Sequence, residues 1–278
     1  SETIFSLIDG DERIISFNSL DNRFGAWNIN DGKRQWSITR SGRSSVTSIS
    51  SASGGIFIQG DSGGNVAVRN SADGTSVSEF NVFERPVIAV ELAGDHQRAA
   101  ATDNQGSVTV FRPADGSTVL RLAGHTSIVK AGVFSPDSRL LATGSNDKSV
   151  KVWDMNSGGM IADLRGHTEA VTATAFSADG RLLATGGADD TIRIWRTSDW
   201  SLVRVLAGFS NGVASMAFSP DGTRLAAATD VGLIRFWEPT GGLQVFALSA
   251  SEKGILKIAF AEGGKTLVSI GLDSKIRF

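Results

Sequence analysis

Cysteine and tyrosine are absent from this sequence, and histidine and proline are scarce, at 3 and 5 residues. Without cysteine there is no disulfide, no thiol nucleophile and no cysteine-ligated zinc. The three histidines, His96, His125 and His167, leave a thin inventory for hydrolytic or metal chemistry. No apolar run reaches membrane-spanning length, so no membrane segment is expected. A basic excess is lacking too: 27 Lys and Arg face 29 Asp and Glu, a net charge of -2, which disfavours a nucleic-acid binder. The opening SETIFSLIDGDERI has no basic stretch followed by a long apolar run. It therefore shows no secretory signal, and a cytoplasmic location is the default expectation. What the 278 residues do contain is 41 % hydrophobic and 20 % charged, the balance of a globular protein, with 32 glycines that imply many tight turns.

A short β-like segment recurs along the sequence, closing on a bulky or long residue each time. It reads FGAW to Trp27, VAVR to Arg69, VTVF to Phe111, VKVW to Trp153, IRIW to Trp195 and IRFW to Trp237, in steps of 42 residues. Turn signals keep the same register: SPDS at Ser135, SADG at Ser177 and SPDG at Ser219, and Asn30-Asp31-Gly32, Ala72-Asp73-Gly74 and Ala114-Asp115-Gly116. Asp, Asn and Gly in these places supply left-handed conformations and side-chain-to-backbone hydrogen bonds. Between turns lie runs of four to seven apolar residues. The fifth unit predicts strands at 171–176, 181–185, 191–195 and 202–206, with no room for a helix of useful length. A lone four-stranded sheet cannot bury both faces, but six or seven stacked in a ring can.

Units 4 and 5 carry more than a period. Unit 4 has Gly124-His125, Phe134-Ser135-Pro136-Asp137, Thr143, Asp147 and Trp153-Asp154; unit 5 has Gly166-His167, Ser177-Ala178-Asp179-Gly180, Thr185, Asp189 and Trp195. This pattern resembles the WD-repeat β-propeller family, strongly in units 4 to 6 and weakly in units 1 to 3. The resemblance implies an all-β, seven-bladed β-propeller over residues 1–278 as a single domain. It also implies a structural hydrogen-bonded network of His167, Asp189, Thr185 and Trp195, and another of His125, Asp147, Thr143 and Trp153. A buried imidazole and a buried indole N–H need partners. Ser145, two residues beyond Thr143 on the same face, is an alternative member. Counted by 42, the His position holds Ser41, Phe83, Phe209 and Ser251, and the Asp position holds Asp21, Gly63, Gln105, Val231 and Asp273. Units 2, 3 and 6 are therefore expected to rely on apolar packing.

Seven units of 42 need 294 residues, so the last blade is expected to be incomplete at 278. An unfinished blade exposes a strand edge. The expectation is a piece of a longer protein, or a strand from another segment that completes blade 7.

Several motifs imitate catalytic sites. Gly60-Asp61-Ser62-Gly63-Gly64 resembles a serine-nucleophile segment, but no histidine lies in units 1 or 2 to serve as base, and by register it is a hairpin turn. Ala259 to Thr266 fits a relaxed phosphate loop, yet it leads into a strand and not a helix. His125 and His167, one per blade, suit structural networks better than a metal pair, and His96 falls in a solvated turn. Neither a metal nor a cofactor is expected.

Trp200, in a turn where unit 4 has Gly158, is either a contact anchor or packed on its own blade. Phe83 and Phe209 either fill a lost network or face a partner, and Arg40, Arg43 and Arg85 would give that rim a basic edge. The expectation is a non-catalytic protein-interaction scaffold or sensor domain within a larger protein or complex. The alternative is a small-ligand binder or enzyme using a central channel lined by Ala131, Gly132, Ala173 and Ala214. A third reading, RNA contact through the rim Arg and Trp residues, conflicts with the charge balance.

Overall fold

The computed structural model describes residues 4–9, 13–19, 21–40, 44–51, 55–273 and 275–278. The protein divides into two compact units, Ser1–Val129 and Lys130–Phe278. The N-terminal unit holds three four-stranded sheets in which sequential strands are neighbours. They are β1 to β4 (Ile4–Asp9, Arg13–Asn18, Arg23–Asn28, Arg34–Thr39), β5 to β8 (Val46–Ser51, Ile56–Asp61, Asn65–Asn70, Ser76–Asn81) and β9 to β12 (Val87–Leu92, Ala99–Asp103, Val108–Phe111, Thr118–Leu122). The C-terminal unit repeats the plan with β13 to β16 (Val129–Phe134, Leu140–Ser145, Val150–Asp154, Met160–Leu164), β17 to β20 (Val171–Phe176, Leu182–Gly187, Ile192–Arg196, Leu202–Leu206) and β21 to β24 (Ser215–Phe218, Leu225–Ala228, Leu233–Trp237, Gln244–Ser249). The last sheet has three strands, β25 to β27 (Ile255–Ala261, Thr266–Gly271, Ile276–Arg277). Helix among the described residues is limited to the single 3-10 turn Glu262–Gly264.

The strands of the fifth sheet depart from the sequence reading by one or two residues at the edges of the second and third strands. β18 runs on through Gly186 and Gly187 because both pair with β17, at Ala173 and Val171. Burial follows position in the sheet. The second strands are closed in on both faces, as in β10 (Ala99–Asp103), where every residue is buried, and they read as continuous apolar runs for that reason. The fourth strands are largely exposed; all six residues of β24 are. The core lies between successive sheets of each unit. In the C-terminal unit Ile192, Ile194 and Leu206 pack with Val213, Met216 and Leu225, and in the N-terminal unit Ile58, Val66 and Val68 pack with Val87, Val90 and Leu92.

The bulky residue of the period has a geometric role. In all six four-stranded sheets the register between third and fourth strands slips by one at that residue: Trp27, Arg69, Phe111, Trp153, Trp195 and Trp237. Such a bulge bends the strand pair and re-aims a side chain. The following turn closes with a backbone bond from residue i+4 to residue i, and a left-handed residue sits at its end. Gly32, Gly74, Gly116, Gly158 and Gly242 occupy five of these sites, and Trp200 occupies the sixth at φ 59°.

Candidate functional site

The sequence places its chemistry-bearing residues at four recurring positions: one before the first strand, one in the second strand, one in the turn after it, and one ending the third strand. The fifth sheet fills them with His167, Thr185, Asp189 and Trp195, and the structure brings these four side chains together. His167 Nδ1 lies 3.0 Å from Asp189 Oδ2 and its Nε2 lies 2.9 Å from Thr185 Oγ1. Trp195 Nε1 donates to Thr185 Oγ1 at 3.0 Å. A carboxylate only accepts, so the imidazole proton sits on Nδ1; Nε2 then accepts the Thr185 hydroxyl, whose oxygen accepts the indole. Burial pushes the His167 pKa down, more than neighbouring Asp189 raises it. Burial pushes Asp189 up, but hydrogen bonds from the Thr168 N–H, Thr191 and His167 hold it below the ordinary aspartate value. The network is thus satisfied within its own sheet.

In the fourth sheet, Trp153 Nε1 donates to Thr143 Oγ1 at 2.9 Å, so Thr143 and not Ser145 is the indole's partner. Ser145 instead accepts the Asp147 N–H, and Asp147 holds its turn through Ser149. His125, which precedes this sheet, is buried.

Where the histidine is missing, two other chemistries fill the positions. In the third sheet three of the four positions are apolar, with Phe83, Ala101 and Phe111 in one buried cluster, and Gln105 stands at the fourth. The sixth is likewise apolar, with Phe209, Ala227 and Trp237 clustered, the Phe209 and Trp237 rings 4.7 Å apart and the Arg235 guanidinium 5.7 Å over Phe209. The second sheet corrects the sequence reading, which expected apolar packing there. Arg69 stands at the tryptophan position and donates through Nε to Gln59 Oε1 at 2.9 Å, as Trp195 does to Thr185. Arg40 donates to Asp61 Oδ2 at 2.6 Å in an ion pair whose side chains are 3 % and 2 % exposed, and it also donates to the Ser44 carbonyl. The other Asp61 oxygen accepts the Gly63 and Asn65 N–H groups. Sequence reasoning missed this pair because it sits one and two residues off the His and Asp register. The available signal was Asp61 inside the Gly-rich turn, where an anion needs a cation once buried.

These placements decide the expected contact residues. Arg40, Phe83 and Phe209 are buried, so none of them offers a rim surface. Arg85 is exposed, 3.9 Å from buried Asp103. Arg43 lies outside the described residues. Trp200 packs against the cluster holding Trp153's neighbours Val150 and Val152 together with Trp195. His96 is half-buried in a positive-φ turn, with Nε2 buried and unpartnered among the described residues, not solvated as the sequence suggested.

The catalytic look-alikes are structural as well. In Gly60-Asp61-Ser62-Gly63-Gly64 the Ser62 hydroxyl accepts the Ser45 N–H. At Gly64, φ 83°, a Cβ would lie 1.9 Å from the Phe83 carbonyl oxygen, so backbone approach and conformation both demand glycine. Residues 259–266 form the end of β25, the 3-10 turn and the start of β26. Among the described residues no three His, Asp or Glu side chains converge to hold a metal ion.

Residues 116–154, 158–196 and 200–238 match the family model for the WD domain, G-beta repeat. Residues 6–111 match the model for the outer membrane protein assembly factor BamB. No curated protein matches the sequence. Among solved structures, the protein is similar to one described as the crystal structure of the mitotic checkpoint complex. The TM-score is 0.89 and the identity 19 %, over 99 % of this chain and 85 % of that one. At that identity the likeness carries the fold, an all-β, seven-bladed β-propeller whose last blade has three strands.

Proposed function

We propose that this protein, which carries WD repeats on a seven-bladed β-propeller, is a non-catalytic protein-interaction scaffold or sensor module working within a larger protein or complex. One observation carries the reading. The residues with the chemical capacity to act, at the four recurring positions, spend that capacity on one another: His167 has both nitrogens engaged, and the arginines of the second sheet are tied to Asp61 and Gln59. A His–Asp network, an Arg–Asp pair beside the register and a phenylalanine cluster serve packing in their respective blades, and what remains for function is the loop and edge surface. The test is cross-linking of the protein in its native cell followed by reconstitution with the purified partner. A saturable complex supports the reading. A small molecule that shifts the melting temperature, with no protein complex formed, supports the channel-ligand alternative.

A strand from another segment or partner, added to β27, is the second interaction we propose. In the sixth sheet Phe246 is half exposed and stacks on Phe236 at 4.3 Å. It borders a cavity of about 590 Å³ lined also by Phe260, Leu267 and Phe278. At the same register one blade earlier, Arg204 donates to the Thr240 carbonyl in the next blade's turn; Trp36 and Ser78 likewise donate to Ser71 and Pro113 carbonyls. An antiparallel strand with its preceding turn satisfies both the edge and Phe246. Binding by this mode slows amide exchange at residues 276–278 and is lost in Phe246→Lys; unchanged exchange in the complex contradicts it.

A further inference from the structure

Asn211-Gly212 is the sequence's one Asn-Gly pair, against six Asp-Gly pairs. It lies in the connection between β20 and β21, with Asn211 exposed. Both residues are left-handed, at φ 74° each. The Gly212 N–H donates to Asp190 Oδ1 at 2.6 Å, while Val213 N–H donates to the Gly187 carbonyl. Asp190, Asn211, Gly212 and Asp230 share the lining of a cavity of about 380 Å³.

Asn-Gly is the dipeptide most open to spontaneous amide loss, because glycine puts no side chain in the way of its own nitrogen. The Gly212 nitrogen loses its proton and attacks Asn211 Cγ. A bond forms between that nitrogen and Cγ, the bond from Cγ to Nδ2 breaks, ammonia leaves with the proton, and a five-membered imide remains. Water then opens the imide at either carbonyl, giving aspartate or isoaspartate, with no oxidant or cofactor involved. The attacking atom is the one Asp190 holds. A carboxylate accepting that N–H keeps the proton on nitrogen and repels the negative charge that must develop there.

We propose that Asn211 is a latent deamidation site and that Asp190 is the positioning residue that guards it. Opening the guard converts Asn211 to a third carboxylate beside Asp190 and Asp230, and the isoaspartate product also lengthens the loop backbone by one carbon. The site is thus a slow, irreversible charge switch on the surface that Asn211, Asp190 and Asp230 share.

The test is incubation of the folded protein at mildly alkaline pH, with peptide mapping for the amide-to-acid mass change and for isoaspartate. Wild type is expected to deamidate at Asn211 about ten- to a hundredfold more slowly folded than in denaturant, the rate penalty of first breaking a charge-assisted hydrogen bond. Asp190→Ala removes the guard and recovers most of that factor while the protein stays folded, at a lowered melting temperature because Asp190 is left-handed at φ 62° and its hydrogen bond is lost. Asp190→Asn keeps an acceptor oxygen but loses the charge, so its rate falls between those of wild type and Asp190→Ala, and amide exchange at Gly212 follows the same order. A folded Asp190→Ala protein that deamidates at the wild-type rate overturns the proposal, and a slower one makes Asp190 the base and not the guard. Should Asp190→Ala not fold, equal rates for folded and denatured wild type overturn it alone.

Discussion

Replacing His167 by alanine tests whether the four-residue network of the fifth blade supports the fold. Asp189 keeps the Thr168 and Thr191 donors after the change, so its carboxylate stays satisfied. Thr185 keeps the Trp195 indole as a donor but loses the imidazole as acceptor for its own hydroxyl. Only the Arg193 carbonyl, 3.5 Å away, remains as an acceptor for that hydroxyl, so the loss falls mainly on one weakly held buried hydroxyl and on the imidazole's packing. An unsatisfied buried group costs about 1–3 kcal/mol. For a domain of this size each kcal/mol moves the melting temperature by about 2–4 °C, so a drop of several degrees is expected. The assay is thermal and urea unfolding of His167→Ala, Trp195→Phe and the double variant. Because the two side chains meet at Thr185, the double-mutant cycle should show coupling of at least about 0.5 kcal/mol. An unchanged midpoint in His167→Ala, or additive effects within error, would refute the reasoning.

Arg40→Ala leaves Asp61 charged, buried and without its cation, and should cost about 3–5 kcal/mol; Arg85→Ala, at an exposed side chain, should stay within about 0.5 kcal/mol, and denaturant midpoints separate the two. Stability should fall as pH drops below the ordinary histidine value of about 6.5, because the folded His167 pKa is lowered and the unfolded state then binds the proton more readily. Asp189 is lowered as well and adds its own loss as pH falls through the ordinary aspartate range; the histidine part of the slope should vanish in His167→Gln. Trp200 is left-handed where five sister turns have glycine. Trp200→Gly should therefore be less destabilising than Trp200→Ala by about 1 kcal/mol, and calorimetry of the pair checks it.

The repeat was legible because one residue in 42 marks a bulge, and a bulge needs a side chain that can be re-aimed, whether Trp, Phe or Arg. Strand type and order followed from turn chemistry and apolar runs, while strand ends did not: Gly186 and Gly187 have no β preference, and only tertiary pairing to Val171 and Ala173 extends β18. The fifth blade's network was readable through its resemblance to the WD-repeat pattern, which carried the four positions over, and pairing of buried polar groups gives the physical reason. The second blade was not: Arg69 and Gln59 keep the register of Trp195 and Thr185 but are other residue types, Arg40 and Asp61 sit off the His and Asp register, and arginine in a sequence reads as surface. Phe83 and Phe209 illustrate the converse. A phenylalanine at a polar position suggests a contact anchor until its neighbours are known, and here Ala101 and Ala227 stand at the threonine position and leave room for the ring. Trp200 was singled out by its turn position, and that position sets its left-handed backbone.

One β-module recurs every 42 residues, held together at its recurring positions by polar networks in some blades and by apolar clusters in others. Amide hydrogen exchange resolved by strand tests this most directly. Protection is expected to rise in the second and third strands and fall in the exposed fourth strand of each blade, with the same phase from β2 through β23. A protection map without that 42-residue recurrence, or one in which the fourth strands outlast the second, would contradict it.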